Sequence, residues 1–427
     1  METYGKILLV AMPVFLALVL GEKWYGWYRG KDTVRQMDMI SSLSSGVTNV
    51  TKDVLGLGVV ILSYGWLVDH VALIHLSSGI WVYVAAFIAL DFSGYWVHRI
   101  EHRFNFFWNY HIIHHSSEEF NLACALRQSI SEWLKVFAIF LLPAALLGVP
   151  APVIAVVAPI QLFAQFWYHT RHIDKMGWLE KWIVTPSHHR VHHAINPEYI
   201  DKNFSQIFIF WDKLFGTFQE EIPEVPPVYG ITRPVRTWNP VKINFMHLWL
   251  MIKDAWRARH WKDKLRIWMM PTGWRPADVA EKYPVYKISQ VYDFEKYDTP
   301  YSSRLLVWSW IQLVVLLTIT SYLFGEIASI GSPGIFYYGL YIFVSVYAFT
   351  ELMDRSRWAL LWEVLRNLSG LYVLLHMRTW HPGSILNTPL VQGLIAGWWV
   401  LSLLIVTWFV TVEFSRSRQV DPVPAAS

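Results

Sequence analysis

Histidine is the residue whose placement says most about chemistry in this chain. Of 17 histidines, eleven fall in tight groups between His98 and His193. His98 and His102 are four apart, a spacing that puts both imidazoles on one face of a helix. His111-x-x-His114-His115 follows, then His169 with His172, and finally His188-His189-x-x-His192-His193. A random chain of this histidine content would hold roughly 0.03 copies of HxxHH, and this one holds two. Protonated, so many gathered imidazoles would repel one another; neutral and buried, they would leave ring nitrogens unsatisfied. Metal ions remove both objections. Nine imidazoles are too many for one ion but suit two ions with four or five each, so the spacing predicts a two-metal centre. Imidazole serves zinc, copper, iron and nickel alike, and ligating nitrogens must be deprotonated, so metal is expected to leave as pH falls below about 6.5. The pattern leaves His172 and His188 open. His70, His75, His247, His260, His376 and His381 are isolated and read as surface or capping residues.

The elements that must position these groups are apolar. The 427 residues are 54% hydrophobic and 16% charged, a balance that belongs in a membrane. Apolar runs occur at 7–20, 54–68, 79–97, 134–164, 305–324, 335–349, 358–375 and 390–410. The fourth is long enough for two helices broken near Gly148–Pro152, so the expectation is an all-α, polytopic integral membrane protein of about nine spans with a cytoplasmic, histidine-rich cap. Residues 1–97 would supply N-terminal membrane helices, 98–304 the histidine-rich region with two further spans and the cap, 305–414 C-terminal spans, and 415–427 a tail. No small-x-small cleavage site follows the first run, which therefore reads as a retained helix. Lys23, Arg29, Lys31 and Arg35 place the first loop, and with it the histidines, on the cytoplasmic side. Residues 203–304, rich in Trp, Tyr and Pro, read as the cap, and Glu363 with Arg366 as a buried ion pair within a span. The single cysteine, Cys124, excludes an internal disulfide framework and thiolate metal sites. The net charge of +4 sits mainly beside the spans, where attraction to anionic headgroups accounts for it. No nucleic-acid motif competes.

The motifs go further. The order HxxxH, HxxHH, HxxHH resembles the fatty acid hydroxylase superfamily of membrane di-iron enzymes and, more narrowly, its glyceryl-ether-cleaving branch. Asp91-Phe92 with Tyr95-Trp96, His114-His115-Ser116-Ser117-Glu118, Ala125–Ser129, Thr185–His193, Asp201-Lys202-Asn203 and Trp211–Phe218 carry the likeness. It covers about the first three quarters of the chain well. Position by position, it implies metal ligation by His98, His102, His111, His114, His115, His169, His189, His192 and His193. It also implies two irons rather than zinc, dioxygen as oxidant, tetrahydrobiopterin or another reduced pterin as donor, and a lipid substrate. The implied reaction is hydroxylation of the carbon beside the ether oxygen of an alkylglycerol, which then falls apart to an aldehyde and a glycerol. Glu118 and Asn121 are the expected catalytic-site polar residues, Arg127 a headgroup-orienting one, and Glu101, Glu119 and Asp201 further partners for imidazole N–H groups. Two other readings compete: hydroxylation or desaturation of a fatty acyl chain or sterol within the same superfamily, and a non-enzymatic zinc-binding membrane protein.

Overall fold

The computed structural model describes residues 2–60, 62–77, 79–135 and 137–415. The chain is mostly helical, and among the described residues the only strands are two-residue segments, Val59–Val60 and Leu134–Lys135, paired in parallel. Five described helices are long and apolar enough to cross a bilayer: Glu2–Tyr28, Ile80–Arg103, Ser303–Ile330, Gly334–Met353 and Pro389–Glu413. These match five of the nine expected spans, and over the other expected runs the described helices are shorter or carry charge, each for a local reason. The run 54–68 is interrupted where Gly56, at φ +65°, ends the helix Gln36–Val54; Ser63 then caps a new helix of only eight residues, Tyr64–Val71. The run 134–164 breaks at Gly148, whose φ of +61° and close approach to the Ile74 carbonyl admit no side chain. Beyond it, the helix Ala151–Phe163 has 13 residues, about 20 Å of rise against a hydrocarbon core of about 30 Å. The run 358–375 does form a 22-residue helix, Ala359–Trp380, but Glu363 and Arg366 lie within it. The tail from residue 416 lies outside the described residues.

Two apolar cores hold the molecule together. The larger joins Val19, Ile40, Leu313, Phe324, Ile342 and Val406 from the N-terminal helices and the C-terminal bundle. Close approach is built in at Gly5, where a β-carbon would stand 2.9 Å from the Phe324 carbonyl oxygen. The expected ion pair is present: Arg366 meets Glu363 and also donates to Gln312 (2.8 Å) and Ser402 (2.6 Å). The smaller core packs Val82 and Ala86 against Val149, Val153 and Val157. It steadies the helix Ile80–Arg103, which carries the first two histidines of the site at its C-terminal end.

Candidate metal centre

Four chain segments converge on one spot. Helix Ile80–Arg103 brings His98 and His102. Helix Asn105–His115 brings His111, His114 and His115, and is fixed by Asn105, whose amide donates to the carbonyls of Ile267 and Trp274 (both 3.0 Å). A turn after Phe163 brings His169. Helix Pro186–His192, with Thr185 as N-cap and Pro186 at its first position, brings His189 and His192, and His193 caps its end.

The imidazoles form two sets. His98, His102, His111, His115 and His192 offer ring nitrogens all within 4.8 Å of one another, and His114, His169, His189 and His193 do the same. All nine expected histidines fall in one set or the other. Both HxxHH motifs divide: the first gives its outer residues, His111 and His115, to the larger set and His114 to the smaller, while the second gives His189 and His193 to the smaller and His192 to the larger. The sets therefore adjoin, with the His115 and His193 rings stacked at 4.3 Å between centroids.

The chemistry of the donors shows what fits between them. His98 donates from Nδ1 to the Phe204 carbonyl (2.8 Å), His192 to Lys202 (2.9 Å), His114 to Arg127 (3.3 Å) and His169 to Gln165 (3.0 Å). Each carbonyl can only accept, so in the neutral ring the proton is on Nδ1 and the Nε2 lone pair faces inward. Yet His114 Nε2 lies 3.3 Å from His169 Nε2, two lone pairs face to face. The Nε2 atoms of His98 and His111 (2.9 Å), His192 and His115 (3.1 Å), and His189 and His169 (2.8 Å) approach as closely. Protonation is no remedy, because burial first and neighbouring imidazoles second hold His111, His114, His115, His189, His192 and His193 well below the ordinary histidine range, and burial takes His169 down to about 4. A cation in each set satisfies every inward lone pair at once.

Outer groups hold these rings. Residues 201–204 supply three acceptors to the larger set: the Asp201 carboxylate 3.5 Å from His102 Nδ1, then the Lys202 and Phe204 carbonyls already named. Asp201 and Asn203 adopt left-handed backbone (φ 57° and 56°), which Asp and Asn tolerate and which turns these acceptors inward. Buried Asp212 pins the segment by accepting from Phe204 N–H (2.8 Å), Ser205 N–H (2.9 Å) and the Thr217 hydroxyl (2.6 Å). Asp91 does the same for the N–H groups of Ile207 and Phe208. Glu101 lies 3.3 Å from His111 Nδ1. Of the expected imidazole partners, Glu101 and Asp201 are thus in place.

The others are elsewhere. Glu118 accepts from the Tyr297 N–H and does not line the cavity beside the histidines. Glu119 pairs with Arg171 and Lys296 (both 2.6 Å). Asn121 spends its amide on the Thr33 carbonyl and on the N–H groups of Ala123 and Cys124, which makes it a turn-former. The Arg127 guanidinium is consumed by Asp38, Ser42 and Ser116, although its carbonyl holds His114. His188 belongs to the capping box of its helix, and His172 meets Thr33 (3.1 Å). His247, expected at the surface, is buried and bonded to the Asn105 carbonyl (3.1 Å).

A cavity of about 220 Å³ opens beside both sets. Its lining combines His102, His115, His192 and His193 with the apolar Trp108, Ile112, Ile231 and Met251 and the basic Arg233, Arg275 and Lys287. Five helices long and apolar enough to span a membrane, and two adjoining imidazole sets that could each hold a metal ion beside a partly apolar cavity, define the class as a histidine-rich membrane protein with the makings of a two-metal centre.

Comparison with known proteins narrows the class. Residues 83–217, which hold all nine histidines, match the fatty acid hydroxylase family. The chain is 32% identical to human alkylglycerol monooxygenase over 399 residues, covering 91% of this chain and 87% of that one. It is 34% identical to the enzyme of that name from Xenopus tropicalis (85% and 81% covered) and 32% to that from Danio rerio (88% and 83%). No solved structure matches significantly. The chain belongs to the alkylglycerol monooxygenase family, within the fatty acid hydroxylases, and is an oxidoreductase.

Proposed function

We propose that the chain holds one iron ion in each imidazole set and uses dioxygen to hydroxylate the carbon beside the ether oxygen of an alkylglycerol. The observation that carries this is the pair of adjoining sets, five and four imidazoles, opening on a partly apolar cavity in a member of this family. Bound there, the metal pair supplies activation of dioxygen. The chain's own part is positioning and exclusion of water. Trp108, Ile112, Ile231 and Met251 receive the alkyl chain beside the histidines. The Lys202 and Phe204 carbonyls and the Asp201 carboxylate hold the protons on Nδ1 and keep the Nε2 atoms of the larger set aimed inward. One oxygen atom enters the C–H bond; the other leaves as water with two electrons from a reductant, for which a reduced pterin is the candidate. The resulting hemiacetal breaks its ether C–O bond to give a fatty aldehyde and a free glycerol hydroxyl. The basic residues Lys23, Arg29, Lys31 and Arg35 after the first helix support a cytoplasmic position for this centre.

The test is metal analysis of the full chain in lipid nanodiscs, followed by incubation with alkylglycerol, acyl lipid and sterol under oxygen and reduced pterin. Iron at about two per chain and aldehyde from the ether lipid alone are the expected results. Zinc alone with no oxygen uptake, or product only from acyl lipid or sterol, overturns the proposal.

A further inference from the structure

The cavity lining has a second chemical character besides the histidines. It includes the charged side chains of Arg233, Arg275, Lys287, Asp254 and Asp201, and Arg233 feels both Arg275 and Asp254. Arg275 is committed. Its Nε and one Nη donate to the two Asp254 oxygens (2.5 and 2.9 Å) and its other Nη to the Tyr283 carbonyl (2.8 Å). That pair cancels, which leaves Arg233 and Lys287 as two positive charges. Neither has a hydrogen bond or ion pair to its side chain among the described residues. The Asp201 carboxylate also lines the cavity, 3.5 Å from His102 Nδ1 and largely exposed, so the two unpaired cations outnumber the one anion outside the Arg275–Asp254 pair.

Arg233 is the more telling of the two. It is half-buried, and burial first, then Arg275, lowers its pKa, with Asp254 opposing in part. A guanidinium drawn out of water without an acceptor is costly, and its planar fork suits the oxygens of a phosphate. Lys287 lies near Gly273, where a β-carbon would be 3.7 Å from its Nζ, on the solvent side of the same cavity.

We infer that Arg233 and Lys287 form an anion subsite that takes the phosphate of a phosphorylated ether-lipid headgroup. The subsite sets how the chain is presented to the histidines and so determines specificity. This rests on the proposed ether-lipid reaction, because the glycerol of such a lipid is where an anion can be carried at the end remote from the alkyl chain. Arg233 acts as a positioning residue; it touches the head, not the reacting carbon.

The experiment compares an alkylglycerol with the alkylglycerol phosphate of equal chain length, using the full metal-loaded chain in nanodiscs. Both turnover and equilibrium binding are measured. Arg233→Gln is expected to lower the ratio of kcat/KM, phosphorylated over neutral, by about 10- to 100-fold, mainly through KM. Arg233→Lys should restore part of that ratio, and Lys287→Gln, at an exposed position, should lower it by a smaller factor. Inorganic phosphate should compete with the phosphorylated lipid in the wild type and lose that effect in Arg233→Gln. If Arg233→Gln reduces both lipids equally through misfolding, Lys287→Gln decides, and an unchanged ratio there overturns the subsite. So does competition by inorganic phosphate with no preference between the two lipids, which assigns the site to free phosphate. If the wild type binds the phosphorylated lipid more tightly in an Arg233-dependent way yet cleaves neither, the ether reaction fails while the subsite stands.

Discussion

Successive side chains on a helix diverge by about 100°, so two adjacent histidines cannot address one ion but can address two neighbouring ones. His114-His115 and His192-His193 have the arrangement this requires, each pair being split between the two sets. His192→Ala and His193→Ala should therefore have different effects on metal despite being neighbours. Each is expected to lower bound iron from about two to about one per chain, the first emptying the set that contains His98 and the second the set that contains His114. Metal analysis with a spectroscopic probe of the remaining ion would tell them apart. Two ions retained in either variant would sink the division into sets. The histidines were legible in the sequence because their spacing is local and improbable. Their division was not, since it depends on how two short helices face each other. Glu118 and Asn121 also follow the first HxxHH closely in sequence, but sequence does not show their partners: Asn121 accepts from the Ala123 and Cys124 N–H groups, and Glu118 from the Tyr297 N–H.

At the scale of elements, residues 201–208 matter as much as the helices that carry the ligands. The segment has little regular structure, yet it supplies acceptors to three imidazoles of the larger set and none to the smaller. Asp212 holds it through three donors that would otherwise be buried unpaired, each costing about 1–3 kcal/mol. Asp212→Ala should destabilise the chain by about 3 kcal/mol or more and release the ion of the larger set while sparing the smaller. Asp212→Asn, which keeps acceptor capacity, should do less. Thermal denaturation and metal stoichiometry check both, and equal loss from the two sets would count against this role. The membrane elements divide in the same way between legible and hidden. Long apolar runs such as 305–324 and 335–349 became helices because nothing interrupts them. The runs 54–68 and 134–164 did not become spans, because Gly56 and Gly148 take left-handed backbone that apolarity does not reveal. Glu363 and Arg366 were readable as a pair three apart, but Gln312 and Ser402, which complete their network, come from other helices. Glu363→Gln alone should cost about 3–5 kcal/mol by leaving a buried guanidinium with neutral partners only, whereas Glu363→Leu with Arg366→Met should cost far less, as thermal denaturation would show.

For the whole molecule, two opposed proton linkages set the pH range in which the fold and the centre coexist. Burial and neighbouring imidazoles hold His114, His115 and His193 well below the ordinary value of 6.5 when folded, so below that pH the unfolded chain binds more protons and stability falls with falling pH. Metal leaves over the same range, because the same nitrogens must stay unprotonated. On the other side, burial raises Glu118 from 4.5 to about 7 and Asp354 from 3.8 to about 6. A raised carboxyl is a proton bound more tightly in the folded state, so its contribution is complete below the unfolded value and is lost as pH climbs through the folded one. Both carboxyls accept from Tyr297, Glu118 from its N–H and Asp354 from its hydroxyl (3.0 Å), where the end of the segment 203–304 meets the C-terminal bundle. The alkaline limb is thus a property of the junction between the metal-bearing region and the membrane bundle, and the acid limb a property of the centre. Replacing Glu118 with Gln keeps the acceptor for Tyr297 and removes the ionisation. In detergent micelles, Glu118→Gln should match the wild-type Tm near pH 5 and exceed it at pH 8, with the acid limb and the iron content unchanged. A Tm profile parallel to the wild type across the alkaline range would show that this carboxyl does not carry the linkage.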